Sequence, residues 1–232
     1  MTDRWREFFE GNSAFGKGWL KSAVNHWSFH EALYGNIIHT CPPPARIIDI
    51  GCGPGWSAVY LASLGYEVVG LDNEPSLVEL AKKNAESLGS SAKFVCGDAF
   101  DLANLNQRFD LCYSCGVLEH FDRDITIKLL RQQSECSKYV IIQIPSRYTA
   151  YTGAITDERI YSITELRRIV AEAGLKPIRS FGYGELTATA IHRVLRQLLP
   201  RAGWRVLQDL GYCYSLAVIG ASPQPKSIPE NT

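Results

Sequence analysis

Apolar residues along this chain follow two rhythms. Short, dense runs rich in Val, Ile and Leu predict strands buried on both faces, and stripes recurring every three or four residues predict helices with one buried side. The first run, from Ile47, carries Asp49 near its end and breaks into Gly51, Gly53 and Gly55 before a helix-forming stretch that reaches Leu61. The second spans Glu67 to Leu71 and ends in Asp72, the third runs from Ala92 to Cys96, the fourth from Phe109 to Tyr113, and the fifth from Lys138 to Ile144, stopped by Pro145. Between them lie helical patterns. Leu77, Leu80, Ala81, Asn84, Ala85 and Leu88 make one largely apolar face, with Pro75 suited to a first turn and Gly89 to a C-terminal cap. Asp122 to Cys136 predicts a helix with an acidic first turn. Ser162 and Glu165 make a capping box ahead of Leu166, Ile169, Val170 and Ala173, and Gly174 closes that helix. Lys176 to Phe181 and Tyr212 to Ile219 are the last two strand candidates, with a helix at about Leu186 to Leu199 between them. This alternation predicts an α/β fold, a doubly wound and mostly parallel sheet with helices on both faces.

The flanks lose that alternation. Residues 1 to 40 hold Trp5, Trp19 and Trp27, and Ala23, Trp27, His30, Tyr34 and Ile37 follow a helical stripe, so a helical cap packed on the core is expected there. Cys41-Pro-Pro-Pro breaks the helix and delivers the chain into the first strand, opening a core domain over 41–221. Ser146 to Tyr161 is aperiodic and rich in Tyr, Thr and Arg, the composition of a substrate-facing loop. With the segment before about Gly35, it is expected to form a lid. The tail 222–232, SPQPKSIPENT, is expected to be disordered.

The glycine loop carries the first chemistry. Three glycines at spacing two leave no Cβ where a bulky ligand must lie against the main chain, and the following helix presents unpaired N–H groups. Dinucleotide loops use G-x-G-x-x-G, whereas this loop is G-x-G-x-G with an acid ahead of it. An acid there repels a pyrophosphate and attracts an ammonium, so the ligand is expected to carry a cationic group, and nicotinamide chemistry is disfavoured. Asp72 follows the first glycine by about one strand–helix–strand unit, the spacing from which an acid reaches a ribose.

Charge narrows the partners. Lys plus Arg and Asp plus Glu each number 24 of 232 residues, so no global field draws the protein to nucleic acid or to an anionic membrane, although a local basic patch remains open. MTDRWREFFEGN has no signal-peptide core and no later run approaches a membrane span, so a cytoplasmic protein is expected. Seven cysteines, an odd number lying mostly in predicted strands, suit reduced buried thiols. Cys112 and Cys115 form a lone C-x-x-C, and His26 and His30 stand one turn apart without an evident third ligand, so no metal site is expected.

IIDIGCGPG, the EVVGLD strand, GDAF after the third run and SCGVLEHF after the fourth together resemble class I methyltransferases that use S-adenosylmethionine (SAM), and VLEH resembles their broad small-molecule branch, type 11. The resemblance implies a seven-stranded Rossmann-like sheet of order 3-2-1-4-5-7-6 and SAM as cofactor. It also implies Asp49 near the ammonium, Gly51, Cys52 and Gly53 along the methionine moiety, and Asp72 on the ribose diol. Asn73 would sit by the adenine, Asp98 on its exocyclic amine beside Ala99, and Ser114 and Cys115 just past strand four at the methyl-transfer edge. The acceptor it implies is a small molecule methylated at O, N or C. His120 is the candidate base, ahead of His192, His26 and His30. Trp27, His30, Tyr148 and Tyr151, with Tyr161, are candidate acceptor contacts. No NPPY-type tetrad follows strand four, which argues against adenine methylation. An RNA or protein methyltransferase, or a non-catalytic SAM-binding partner subunit, are the competing readings.

Overall fold

A computed structural model describes residues 7–9, 18–149, 159–184, 194 and 197–223. Seven strands form one sheet: β1 (Arg46–Ile50), β2 (Glu67–Asp72), β3 (Lys93–Cys96), β4 (Phe109–Cys115), β5 (Ser137–Pro145), β6 (Lys176–Tyr183) and β7 (Ser215–Ala221). Their order is β3-β2-β1-β4-β5-β7-β6, as the resemblance implied. β1 to β5 pair in parallel, and β7 runs antiparallel between β5 and β6.

Alternation along each strand divides the core between the two faces of the sheet. Ile47, Tyr113, Ile141 and Ile219 pack on one side with Leu33, Ile37, Ala58 and Ala81. Ile48, Ile50, Cys112, Ile142 and Val218 pack on the other with Leu130, Leu166 and Ile169. The helices that supply these residues are α2 (Glu31–Thr40), α3 (Trp56–Ser63), α4 (Pro75–Ser87), α5 (Arg123–Cys136) and α6 (Ile163–Glu172), and α1 (Trp19–Phe29) packs Trp27 and Phe29 against the first cluster. The capping box of α6 forms as expected: Glu165 N–H donates to Ser162 Oγ at 3.3 Å, and Ser162 N–H donates to Glu165 Oε2 at 2.8 Å. The same alternation sends Cys112 and Cys115 to opposite faces, so that pair cannot share a metal ion.

Several boundaries differ from the sequence expectation. The N-terminal stripe is two helices rather than one, broken at His30, whose N–H closes α1 on His26 O while its own carbonyl begins α2 through Tyr34 N–H. No proline or glycine marks the break, which coincides with the turn of the imidazole into the core. Ser114 and Cys115 are the last residues of β4 rather than lying past it. β7 begins at Ser215, because the backbone before it is held elsewhere: Tyr214 O accepts from Ser146 N–H and from Thr149 Oγ1, and Tyr214 N–H donates to Gly184 O. A helix the sequence analysis did not anticipate, α7 (Arg201–Asp209), packs against β6. Of the stretch expected to be helical over 186–199, only 194 and 197–199 are described, and 194, 197 and 198 are helical. Residues 150–158 of the expected lid and 224–232 of the tail lie outside the described residues. Among the described residues, no helix is long and apolar enough to cross a membrane.

Candidate functional site

The glycine loop is built onto the end of β2. Gly51 and Cys52 N–H groups donate to Leu71 O at 2.8 and 3.1 Å, and Asn84 Nδ2 of α4 donates to Pro54 O at 2.9 Å. Gly51, Gly53 and Gly55 have φ of 70°, 50° and 80°, the left-handed region that side chains disfavour. A Cβ on Gly51 would also lie 2.5 Å from Val117 Cγ2. Phe9 lies against Gly53, where a Cβ would come within 2.9 Å of its ring, and meets Trp56 edge-on.

Asp72 bridges strand and loop. Its Oδ2 accepts from Gly53 N–H at 2.9 Å and its Oδ1 from Glu74 N–H at 3.0 Å. Each carboxylate oxygen keeps a further lone pair for a hydroxyl donor. Burial raises its pKa, and these backbone donors oppose the rise. Asp49, buried at the end of β1, is pushed up to about 7 by desolvation, with the Asp72 charge adding to the effect. The Tyr113 hydroxyl stands near enough to favour the Asp49 anion, yet outside hydrogen-bonding geometry, so that it is itself buried and unpartnered. Among the described residues no cation pairs with Asp49.

The other residues expected around a cofactor line the same sheet edge less tightly. Cys52 is buried with its thiol held neutral by desolvation. Asn73 is exposed, whereas its neighbour Glu74, which sequence reasoning passed over, is buried and caps α4 with Oε1 while Oε2 stays unpartnered. Asp98 is exposed and accepts from Phe100 N–H at 2.9 Å, and Ala99 is half-buried beside it. Ser114 is buried with its hydroxyl unpartnered.

At the ends of β4, β5 and β6, polar side chains from distant parts of the chain meet. His30 Nδ1 lies 2.7 Å from Tyr183 Oη, and both ring nitrogens lie within 3.9 Å of Cys115 Sγ. Cys115 donates its thiol proton to Gln143 Oε1 at 2.7 Å. His26 Nε2 and Tyr34 Oη both meet Ser57 Oγ, at 2.8 and 2.9 Å, and the two imidazole rings sit 4.3 Å apart. Burial lowers His26 to about 4 and lowers His30 too, with His26 adding to the effect on His30, while it raises Cys115 and Tyr183. The cluster is therefore uncharged at neutral pH. Its members Gln143, Tyr183 and Ser57 were not anticipated, although Gln143 in the run YVIIQIP is a polar residue where β5 is otherwise apolar.

The remaining candidates are dispersed. His120 ends a short 3₁₀ turn, Leu118–His120, and is half-buried. Trp27 pins α1 to α3, donating to Trp56 O at 2.8 Å and stacking on Tyr60. Tyr148 meets Tyr212 edge-on beneath the Arg147 guanidinium. Tyr161 packs at the margin of the second core cluster. Tyr151 and His192 lie outside the described residues.

This sheet order, with a glycine loop after β1 and an acid ending β2, defines the Rossmann-like class I methyltransferase fold. The sequence agrees over part of the chain: residues 47–138 match the family model described as methyltransferase domain. A ubiquinone biosynthesis O-methyltransferase of Azorhizobium caulinodans is 37% identical over 75 residues, 32% of this chain and 30% of that protein. The chain thus matches only 30–33% of the length of such curated relatives. Magnesium protoporphyrin IX methyltransferase from Synechocystis PCC 6803, with bound SAH, superposes with a TM-score of 0.67 at 15% identity, over 95% of this chain and 94% of that one. The [4+2]-cyclase SpnF superposes at 0.60 and 18% identity, over 83% and 80%, so the fold alone does not fix the reaction.

Proposed function

We propose that this protein is a SAM-dependent methyltransferase acting on an O, N or C atom of a small, uncharged acceptor. The observation that carries the reading is Asp49, a buried acid at the glycine loop with no cation beside it among the described residues. A ligand ammonium would return it to the ionised form, and the unpartnered oxygens nearby on Glu74 and Ser114 leave further donors and acceptors for a polar ligand. Asp72 would accept from a ribose diol with its remaining lone pairs, and the Gly51, Cys52 and Gly53 backbone would follow the methionine moiety. Asn73 would lie by the adenine, and Asp98 with Ala99 would border it.

When bound, SAM supplies an already activated methyl group, so alignment and exclusion of water are the main tasks of the protein. Ser114 and Cys115 at the end of β4 would border the acceptor. His30, fixed by Tyr183, would orient a hydroxyl there by hydrogen bonding, because burial disfavours its protonated form, and His120 would be the candidate to take the proton. An uncharged polar wall favours a neutral acceptor over a phosphorylated or zwitterionic one. α1 and α2, with the segment after β5 that includes Tyr148, would close over it as a cap.

Titration calorimetry tests the cofactor. SAH should bind at one site per chain, and heat with NADH but none with SAH would overturn the reading. Incubation with SAM and a panel of neutral phenols and alcohols, read as SAH release, tests the acceptor class. Release only with RNA or protein substrates would replace it with a macromolecular methyltransferase.

A further inference from the structure

The most exposed large hydrophobic residues of the described chain are Leu198 at 74%, Leu210 at 71%, Val206 at 57% and Val194 at 54%, all within one segment between β6 and β7. A soluble surface scatters such residues singly, and their concentration marks an interaction site. The same segment is basic in a chain without net charge: between β6 and β7 it holds Arg193, Arg196, Arg201 and Arg205 against two acids, Glu185 and Asp209.

α7 orders this composition into two adjacent lines. Ala202, Val206 and Leu210, four residues apart, form an apolar stripe in which every member is exposed, and Arg201 and Arg205 form a cationic line beside it, exposed as well. The opposite side of the helix faces the sheet. A Cβ on Gly182 of β6 would fall 2.0 Å from Gln208 O, so helix and strand are in close contact, and Trp204 and Leu207 are half-buried on that side. Asp209, the one acid of α7, lies 3.4 Å from Gly182 N and accepts from it. Among the described residues the outer side is exposed, apolar along one line and carrying Arg201, Arg205 and then Asp209 along the next.

We propose that this surface, comprising Leu198, Arg201, Ala202, Arg205, Val206 and Leu210, docks the protein peripherally on an anionic lipid bilayer. An interfacial helix buries an apolar stripe at the acyl boundary while flanking arginines meet the headgroups, and the lines of α7 are arranged in that way. A second copy of the chain fits less well. A two-fold contact through the same surface would bury Arg201 and Arg205 of both copies against a single α7 acid, Asp209, from each. A helix of nine residues with one apolar line gives reversible, salt-sensitive attachment rather than insertion. The balanced charge of the whole chain hides this patch, and the proposal departs from the expectation of no membrane partner.

The test is co-sedimentation of the full chain with vesicles of phosphatidylcholine containing phosphatidylglycerol, compared with phosphatidylcholine alone. The chain should pellet with the anionic vesicles, remain in solution with the neutral ones, and be released by high salt. Val206→Asp with Leu210→Asp, and separately Arg201→Glu with Arg205→Glu, should each weaken binding about tenfold or more. Both pairs are exposed, so folding and SAH affinity should be retained and are measured alongside. No binding to anionic vesicles, or equal binding by parent and both variants, would overturn the proposal. So would a concentration-dependent dimer in sedimentation velocity that the Val206→Asp, Leu210→Asp variant abolishes, which would assign the surface to a second copy. None of these outcomes bears on whether SAM binds at the glycine loop.

Discussion

The two ends of the candidate binding edge are built in different ways. Around β1 and β2 the polar contacts are local or backbone-mediated: Gly53 N–H to Asp72, Glu74 N–H to Asp72, and Gly51 N–H to Leu71 O all connect residues within one strand–loop–strand unit. Around β4 to β6 the contacts are side chain to side chain and join distant segments, as His30 does with Tyr183, 153 residues away. The first region places a charged acid on a frame of main-chain donors, which varies little with the surrounding side chains. The second assembles a neutral network whose members depend on one another, and under the proposed function that is where the acceptor could change without disturbing the cofactor.

Asp49→Asn gives the largest expected effect and tests the charged region directly. The folded-state pKa of Asp49 is raised from 3.8 to about 7, so its contribution to the stability of the ligand-free protein is complete below pH 4 and is lost as pH rises toward 7. The full loss is about 4 kcal/mol by proton linkage. His26 works in the opposite sense. Lowered to about 4, it contributes stability above pH 6.5 that is lost as pH falls. In the parent the two largely offset each other between pH 4 and 6.5. Urea unfolding across that range should show the variant gaining stability over the parent as pH rises, while its SAH affinity falls. A constant difference between them would mean that Asp49 is not the buried acid described.

In the neutral region, His30→Ala should destabilise by about 2–4 kcal/mol, since it leaves a cavity and removes the hydrogen bond to Tyr183. The SAH dissociation constant should stay within about twofold of the parent, because His30 contacts Tyr183 and Cys115 rather than the glycine loop or Asp72. A large loss of SAH affinity in a folded variant would erase the distinction between the two regions. Asp72→Ala should do the reverse and weaken SAH binding by about 1.5–3 kcal/mol, the scale of hydrogen bonds to a charged acceptor, with a smaller effect on unfolding. Calorimetry with an unchanged dissociation constant would remove Asp72 from the site. The smallest effect is reserved for a control outside both regions: Ser162→Ala removes the α6 cap and should lower stability by about 1 kcal/mol with no change in ligand affinity. A change in SAH affinity there would show that the sheet edge responds to any loss of stability, and the larger effects would lose their specificity.

The amino-acid sequence alone determined the parts governed by short-range rules. A buried parallel strand needs a continuous apolar run, a turn against a ligand needs glycine, and a capped helix needs Ser162 and Glu165 three residues apart, so strands, loop and α6 were legible in advance. Asp49 and Asp72 were named as cofactor candidates for the same reason, since their places at the ends of β1 and β2 are fixed by their distance from the loop. What only the tertiary structure decided depends on which residues meet. The break at His30 has no local signal and coincides with its bond to Tyr183, the late start of β7 follows from bonds to Ser146, Thr149 and Gly184, and α7 is held by its close approach to Gly182. Tyr183, Gln143 and Ser57 join the candidate site because β6, β5 and α3 bring them beside His30, Cys115 and Tyr34, and no spacing along the chain encodes such an encounter. Local propensity and pattern act over a few residues, whereas the neutral cluster is stabilised by contacts formed only once the sheet has closed.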